Sequence, residues 1–267
     1  MKSIFALLTI FTLILSGCQA QPAETDPVED VELYVFAAAS LTETFEEIGR
    51  LFEAANPGVK VIFTFDSSGT LKTQIEEGAT VDVFVSAAQK QINELEAGNA
   101  ANTAGLDFVL AGSRVNIVEN KVTLAVPTGN PTDVQTFADL ASDAVSVIAL
   151  GNADVPVGQY SEELLTNLGI WEQIQPKVTF GSNVKEVTTW VSEGVADCGI
   201  VYKTDAFSAG LEVVDEAGPD LLKTPVVYPG AVMKTSQNPT VAQAFLDFLR
   251  SAEAQAVLTG VGFSIPE

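Results

Sequence analysis

Apolar residues recur along this chain in two rhythms, one of period two and one near 3.6. Residues 31–36 form a short apolar run and predict a strand. Leu41, Phe45, Ile48 and Phe52 follow at the spacing of one helix face. Val59, Val61, Phe63 and Phe65 then alternate as a half-buried strand does. A shorter helix is expected at residues 71–77 and a third strand at residues 81–85. This β-α-β-α-β succession predicts a parallel sheet with helices on both faces.

The pattern restarts beyond residue 120. Residues 121–126, 145–150, 199–202 and 211–214 read as strands. Residues 137–140, 161–168 and 184–195 read as helices. Residues 226–233 are extended, but Pro229 and Gly230 interrupt them, so a connection is expected there. Val241, Phe245, Phe248 and Leu249 mark a closing helix over residues 241–250. No fixed-period repeat is visible. The order and length fit two α/β lobes with a cleft between them. In such sheets a ligand sits outside the carboxyl ends of the strands.

The first residues change the picture of where the protein works. Lys2 precedes an apolar stretch from Ile4 to Leu15, and Leu15-Ser16-Gly17-Cys18 matches a lipobox. Residues 1–17 are therefore expected to be a lipoprotein signal peptide, with Cys18 acylated as the mature N-terminus. The stretch is too short and wrongly flanked for an ordinary membrane span. Residues 18–30, rich in Pro, Ala, Glu and Asp, are expected to be a flexible tether.

Composition narrows the chemistry. Thirteen Lys and Arg face 35 Asp and Glu, a net charge of −22, and no basic patch is present to hold nucleic acid. Histidine is absent, which removes Ser-His-Asp and Cys-His catalysis and nearly all zinc chemistry. With Cys18 lipidated, Cys198 has no partner, and its apolar surroundings predict a buried, inert thiol. The carboxylate pairs Glu46-Glu47, Glu76-Glu77, Glu162-Glu163 and Asp215-Glu216 read as solvated surface.

Four junctions between extended segments and helices share one chemistry. Ala37-Ala38-Ala39-Ser40 leads into the first helix, with Glu43 at capping-box spacing from Ser40. Asp66-Ser67-Ser68-Gly69-Thr70 opens the second, and Asp66 reads there as a turn residue. Val155-Pro156-Val157-Gly158 opens a third. Gly181-Ser182-Asn183-Val184 opens a fourth, with Asn183 as the expected cap and Glu186 at capping-box spacing. Each could be no more than a helix cap. Together, helix N-termini present unpaired N–H groups and the positive end of the dipole, and several converging on one cleft make an anion site without a basic side chain. Hydrogen bonds to a charged group contribute about 1.5–3 kcal/mol each, enough for micromolar binding from five or six. A cage of donors favours a fully deprotonated oxyanion.

These residues resemble the molybdate-binding proteins of ABC uptake transporters. The resemblance runs from about residue 31 to 267. It is carried by Val35-Phe36-Ala37-Ala38-Ala39-Ser40-Leu41-Thr42, by Ser67-Ser68-Gly69-Thr70-Leu71, and by Val81-Asp82-Val83-Phe84-Val85-Ser86-Ala87. Val155-Pro156-Val157-Gly158, Gly199-Ile200-Val201-Tyr202 and Gly262-Phe263 complete it. It implies a type II periplasmic-binding-protein fold, α/β in class: two lobes joined by two crossovers, with the ligand cleft between them. Lobe 1 would comprise residues 31–112 and 230–267, and lobe 2 residues 113–229.

By motif position, the resemblance implies that Ser40, Ser68 and Tyr202 hold the ligand through hydroxyls. Val157 and Val184 would do so through backbone N–H groups. Molybdenum would enter as its oxyanion through these same residues, with no protein ligand on a metal cation and no cofactor. Tungstate would also be accepted. The implied protein is not an enzyme but a monomeric extracytoplasmic receptor, lipid-anchored at the membrane and serving an ABC permease. The alternatives are a receptor for another tetrahedral oxyanion such as sulfate, or an extracytoplasmic enzyme. Asp66 stands where some relatives have a small neutral residue, Gly69 where some have serine, and Val157 where some have a smaller residue.

Overall fold

The computed structural model describes residues 31–266. The expected signal peptide, Cys18 and the tether lie outside the described residues. Ten strands run in chain order: β1 (Val31–Ala38), β2 (Val59–Asp66), β3 (Val83–Val85), β4 (Val115–Asn120), β5 (Val122–Val126), β6 (Ile148–Gly151), β7 (Val178–Gly181), β8 (Cys198–Tyr202), β9 (Glu212–Glu216) and β10 (Val226–Val232). The α-helices are α1 (Thr42–Ala55), α2 (Ser68–Glu76), α3 (Gln89–Leu95), α4 (Pro156–Asn167), α5 (Trp171–Ile174), α6 (Val184–Ser192), α7 (Lys203–Ser208), α8 (Pro239–Leu249) and α9 (Ala252–Gly260).

The strands form two five-stranded sheets of matching plan, β2-β1-β3-β10-β4 and β7-β6-β8-β5-β9. In each, four strands run one way and one (β10 or β5) runs against them, pairing antiparallel with its neighbours on both sides. The sheets are therefore mixed rather than wholly parallel as the alternating pattern predicts. The antiparallel strand of each sheet arrives from the other lobe, so no crossover helix fixes its direction. The chain passes between sheets twice, at Lys121 and between Glu216 and Val226. Two α/β lobes joined by two crossovers are thus present. The sheets change hands elsewhere than at the expected residues 113 and 229, because β4 and all of β10 belong to the first sheet.

Residues 226–232 are a buried strand, not a connection. The ladder with β4 shifts register between Tyr228 and Pro229, so the irregularity absorbs the missing N–H of proline. Gly230 is needed for closeness: a Cβ there would stand 2.7 Å from Ile117 Cδ1 and 2.9 Å from Leu246 Cδ2.

The expected face of α1 is buried: Phe45, Ile48 and Phe52 lie in the core, with Leu41 in the turn before. Phe245 of α8 meets Phe45 and Phe52 edge-on at ring distances of 6.4 and 5.2 Å. The end of the chain thereby closes the lobe that its beginning opens. Cys198 is free and buried, and burial pushes its thiol up to about 12, as an inert core cysteine requires.

Candidate functional site

Four of the five sequence-predicted residues line one small cavity: Ser40, Ser68, Val184 and Tyr202, together with Ala39, Asp66, Ala87, Val155 and Pro156. Val157 is fully buried one residue behind the lining, in the first turn of α4. The cavity is small, about 200 Å³ including the part open to solvent. A larger hollow lies beside Gln89, Tyr160 and Thr224, away from the serines.

Ser40 does not cap α1. It sits in a single 3-10 turn, Ala39–Leu41, and the cap position falls on Leu41 without a side-chain bond. The expected capping box with Glu43 is therefore not formed. The Ser40 hydroxyl instead meets the Tyr228 hydroxyl at 3.0 Å. At the second junction Ser67 is the cap, its Oγ accepting from the Thr70 amide at 3.1 Å. That frees Ser68, whose Oγ accepts from the Ala87 amide at 3.0 Å. An amide N–H can only donate, so the Ser68 proton remains for the cavity. Asp66 takes the Ser67 amide at 2.7 Å, as a turn residue does.

The second lobe supplies helix starts. Asn183 caps α6, accepting from the Glu186 amide at 3.1 Å, while the Glu186 carboxylate takes the Ser182 amide at 2.7 Å. Pro156, without an N–H, occupies the first position of α4. The first-turn N–H groups of Val157 and Val184 have no intrahelical acceptor. Gly158 lets α4 press on the end of β6, where a Cβ would stand 2.3 Å from the Gly151 oxygen.

Ala87 carries no chemical signal in the sequence, yet it is central. Ser86 Oγ donates to the Ala88 carbonyl at 2.7 Å and accepts from the Ala88 amide at 3.2 Å, which folds this loop back on itself. The Ala87 amide then serves Ser68, and its carbonyl accepts from Tyr202 Oη at 3.2 Å across the cleft. Burial holds the Tyr202 phenol well above its ordinary range, so it keeps its proton.

Three further contacts bridge the lobes or lie behind them. Gly69 N–H donates to the Asp154 carbonyl at 3.0 Å. Lys185 Nζ reaches Glu43 at 2.8 and 2.9 Å. Lys185 also stands 3.4 Å from Asp205, a fully buried carboxylate whose two oxygens make no hydrogen bond. Burial pushes Asp205 up to about 7, against the pull of Lys185. Among the described residues no cluster of His, Cys, Asp and Glu could hold a metal ion.

Two lobes closed over a small pocket of hydroxyls and helix starts define a solute receptor. The chain belongs to the bacterial extracellular solute-binding protein family, whose model matches residues 33–264. A Bacillus subtilis (strain 168) protein named as a putative ABC transporter substrate-binding lipoprotein, YvgL, is 35% identical over 266 residues, covering 98% of this chain and 97% of that one. The molybdate-binding protein ModA of Haemophilus influenzae is 35% identical over 235 residues, covering 86% and 89%. The solved periplasmic molybdate-binding protein of Azotobacter vinelandii superposes with a TM-score of 0.76 at 25% identity, covering 88% and 100%. Membership places the protein outside the cytoplasm as a substrate-binding component of transport.

Proposed function

We propose that this protein captures molybdate, and tungstate with it, and delivers the anion to an ABC permease. Ser40 and Ser68 would bind through hydroxyls, Tyr202 by turning its hydroxyl from the Ala87 carbonyl to the anion, and Val157 and Val184 through backbone N–H groups. The observation that carries this reading is the donor-rich cavity: both serine hydroxyls sit against the closed cleft, and the adjoining helix starts add unpaired amides. A net charge of −22 opposes the anion at long range, but salt screens that field within roughly 8 Å, and the donors act at contact. The receptor is proposed to be monomeric, without cofactor or enzymatic activity, and held at the membrane by lipid on Cys18.

The test is calorimetry on residues 19–267 with molybdate, tungstate, sulfate and phosphate. Heat from molybdate and tungstate supports the assignment. Heat from sulfate alone would replace it with the sulfate reading. Loss of membrane association on Cys18→Ala tests the anchor.

A further inference from the structure

Behind Ser40 lies a chain of polar groups buried in the hinge region. Asn120 ends β4, next to the first crossover, and is 4% exposed. Its Oδ1 accepts from the Lys121 amide at 2.8 Å. Because that amide can only donate, the side-chain amide has one orientation, and Nδ2 is the atom facing the interior. Nδ2 donates to Thr204 Oγ1 at 2.9 Å and to Tyr228 Oη at 3.3 Å. Tyr228 is wholly buried, and burial holds its phenol protonated. Asn120 can only donate to its oxygen, and the 3.0 Å contact with Ser40 Oγ is geometrically open to either donor; with Tyr228 as the donor, the buried phenol proton has an acceptor. In that arrangement Ser40, which lines the cavity, accepts from behind and its own proton is left for the cavity.

We infer that Asn120 and Tyr228 are positioning residues that fix the direction of the Ser40 hydrogen and thereby select fully deprotonated oxyanions. Without them Ser40 could accept as readily as donate, and an anion carrying an O–H would find an acceptor at Ser40. With them the Ser40 hydroxyl, like that of Ser68, turns its proton to the cavity, and a protonated anion meets those protons with its own. Such a device is worth building because an uncommitted hydroxyl, which both donates and accepts, cannot by itself discriminate. The inference rests on the oxyanion reading above and adds residues that touch no ligand.

The experiment measures affinity for molybdate and for phosphate at pH 6, where phosphate carries at least one proton, in wild type, Tyr228→Phe and Asn120→Asp. Tyr228→Phe removes the donor to Ser40 and keeps the ring. Asn120→Asp supplies an acceptor for the Tyr228 proton and so reverses the chain, turning the Ser40 hydrogen away from the cavity. Unliganded melting curves report whether each variant folds. Tyr228→Phe is expected to weaken molybdate about tenfold and to lower the molybdate-to-phosphate ratio by at least that factor; Asn120→Asp is expected to exceed it. Equal weakening of both anions would reduce these residues to packing and overturn the inference, as would unchanged molybdate affinity in both variants. If wild type binds sulfate and not molybdate, the molybdate reading fails by itself, and the same ratio is read with sulfate. Wild type that binds none of these anions overturns both.

Discussion

The Gly69 amide and the Asp154 carbonyl meet across the cleft at 3.0 Å, and a Cβ at position 69 would stand 2.3 Å from that same oxygen. The contact therefore depends on glycine for space and not for backbone freedom. Gly69→Ala should hold the lobes apart, because the obstacle is backbone on both sides. Molybdate affinity should drop about tenfold or more, and small-angle scattering should lose the compaction expected on ligand addition to wild type. Unaltered affinity would mean that closure does not require this contact.

Lys185 and Glu43 also bridge the lobes, yet Glu43 is 58% exposed at its side chain. Ion pairs of this kind contribute about 0–1 kcal/mol. Glu43→Gln should thus change affinity by less than about fivefold, and calorimetry at low and high salt should show a small difference. A loss as large as that of Gly69→Ala would reverse the ranking of the two bridges.

Ser40→Ala and Ser68→Ala should each cost about 1.5–3 kcal/mol of binding, the range for a hydrogen bond to a charged group. Each should also destabilise the empty protein, because each strands a buried donor: Ser68→Ala the Ala87 amide, and Ser40→Ala the Tyr228 hydroxyl, at about 1–3 kcal/mol apiece. Denaturant titration of the unliganded variants measures both losses, and an unchanged stability in Ser40→Ala would contradict the assignment of the Tyr228 proton to Ser40.

Asp205 gives a pH dependence whose sign is fixed by its burial. Its pKa rises from 3.8 to about 7 on folding, so between these values the folded state holds a proton that the unfolded chain has released. Its contribution to stability is full below 3.8 and is lost as pH rises through about 7. Asp205→Asn removes this slope. Unfolding free energies at pH 5 and pH 8 should shift in favour of the variant as pH rises, and parallel changes in the two proteins would refute the assignment.

The strongest periodic segments are legible in the sequence because local pattern and tertiary burial agree there: Phe45, Ile48 and Phe52 of α1 are the clearest case. Residues 226–232 are not. Pro229 and Gly230 signal a break because they act on local conformation, whereas a register shift at Tyr228/Pro229 and the close approach of Ile117 to Gly230 make the pair useful inside a strand. β4 escapes the pattern because Asn116, Glu119 and Asn120 dilute its apolar residues. Ser40 and Ser68 stand out as hydroxyls at helix starts, although the capping role that spacing suggests for Ser40 is not the one it plays. Asn120, Tyr228 and Ala87 carry no such signal. Ser40 and Tyr228 are 188 positions apart, and only the sheet order brings them together.

The interleaved sheets also set an order of events during folding. The first sheet lacks its fourth strand, and any link to β4, until β10 has been made, while every strand of the second sheet lies between residues 122 and 216. Lobe 2 can therefore complete its sheet from one continuous stretch as the chain emerges, and lobe 1 must wait with exposed strand edges for the closing part of the sequence. A truncation beyond Glu216 would leave a finished second lobe attached to an unfinished first one.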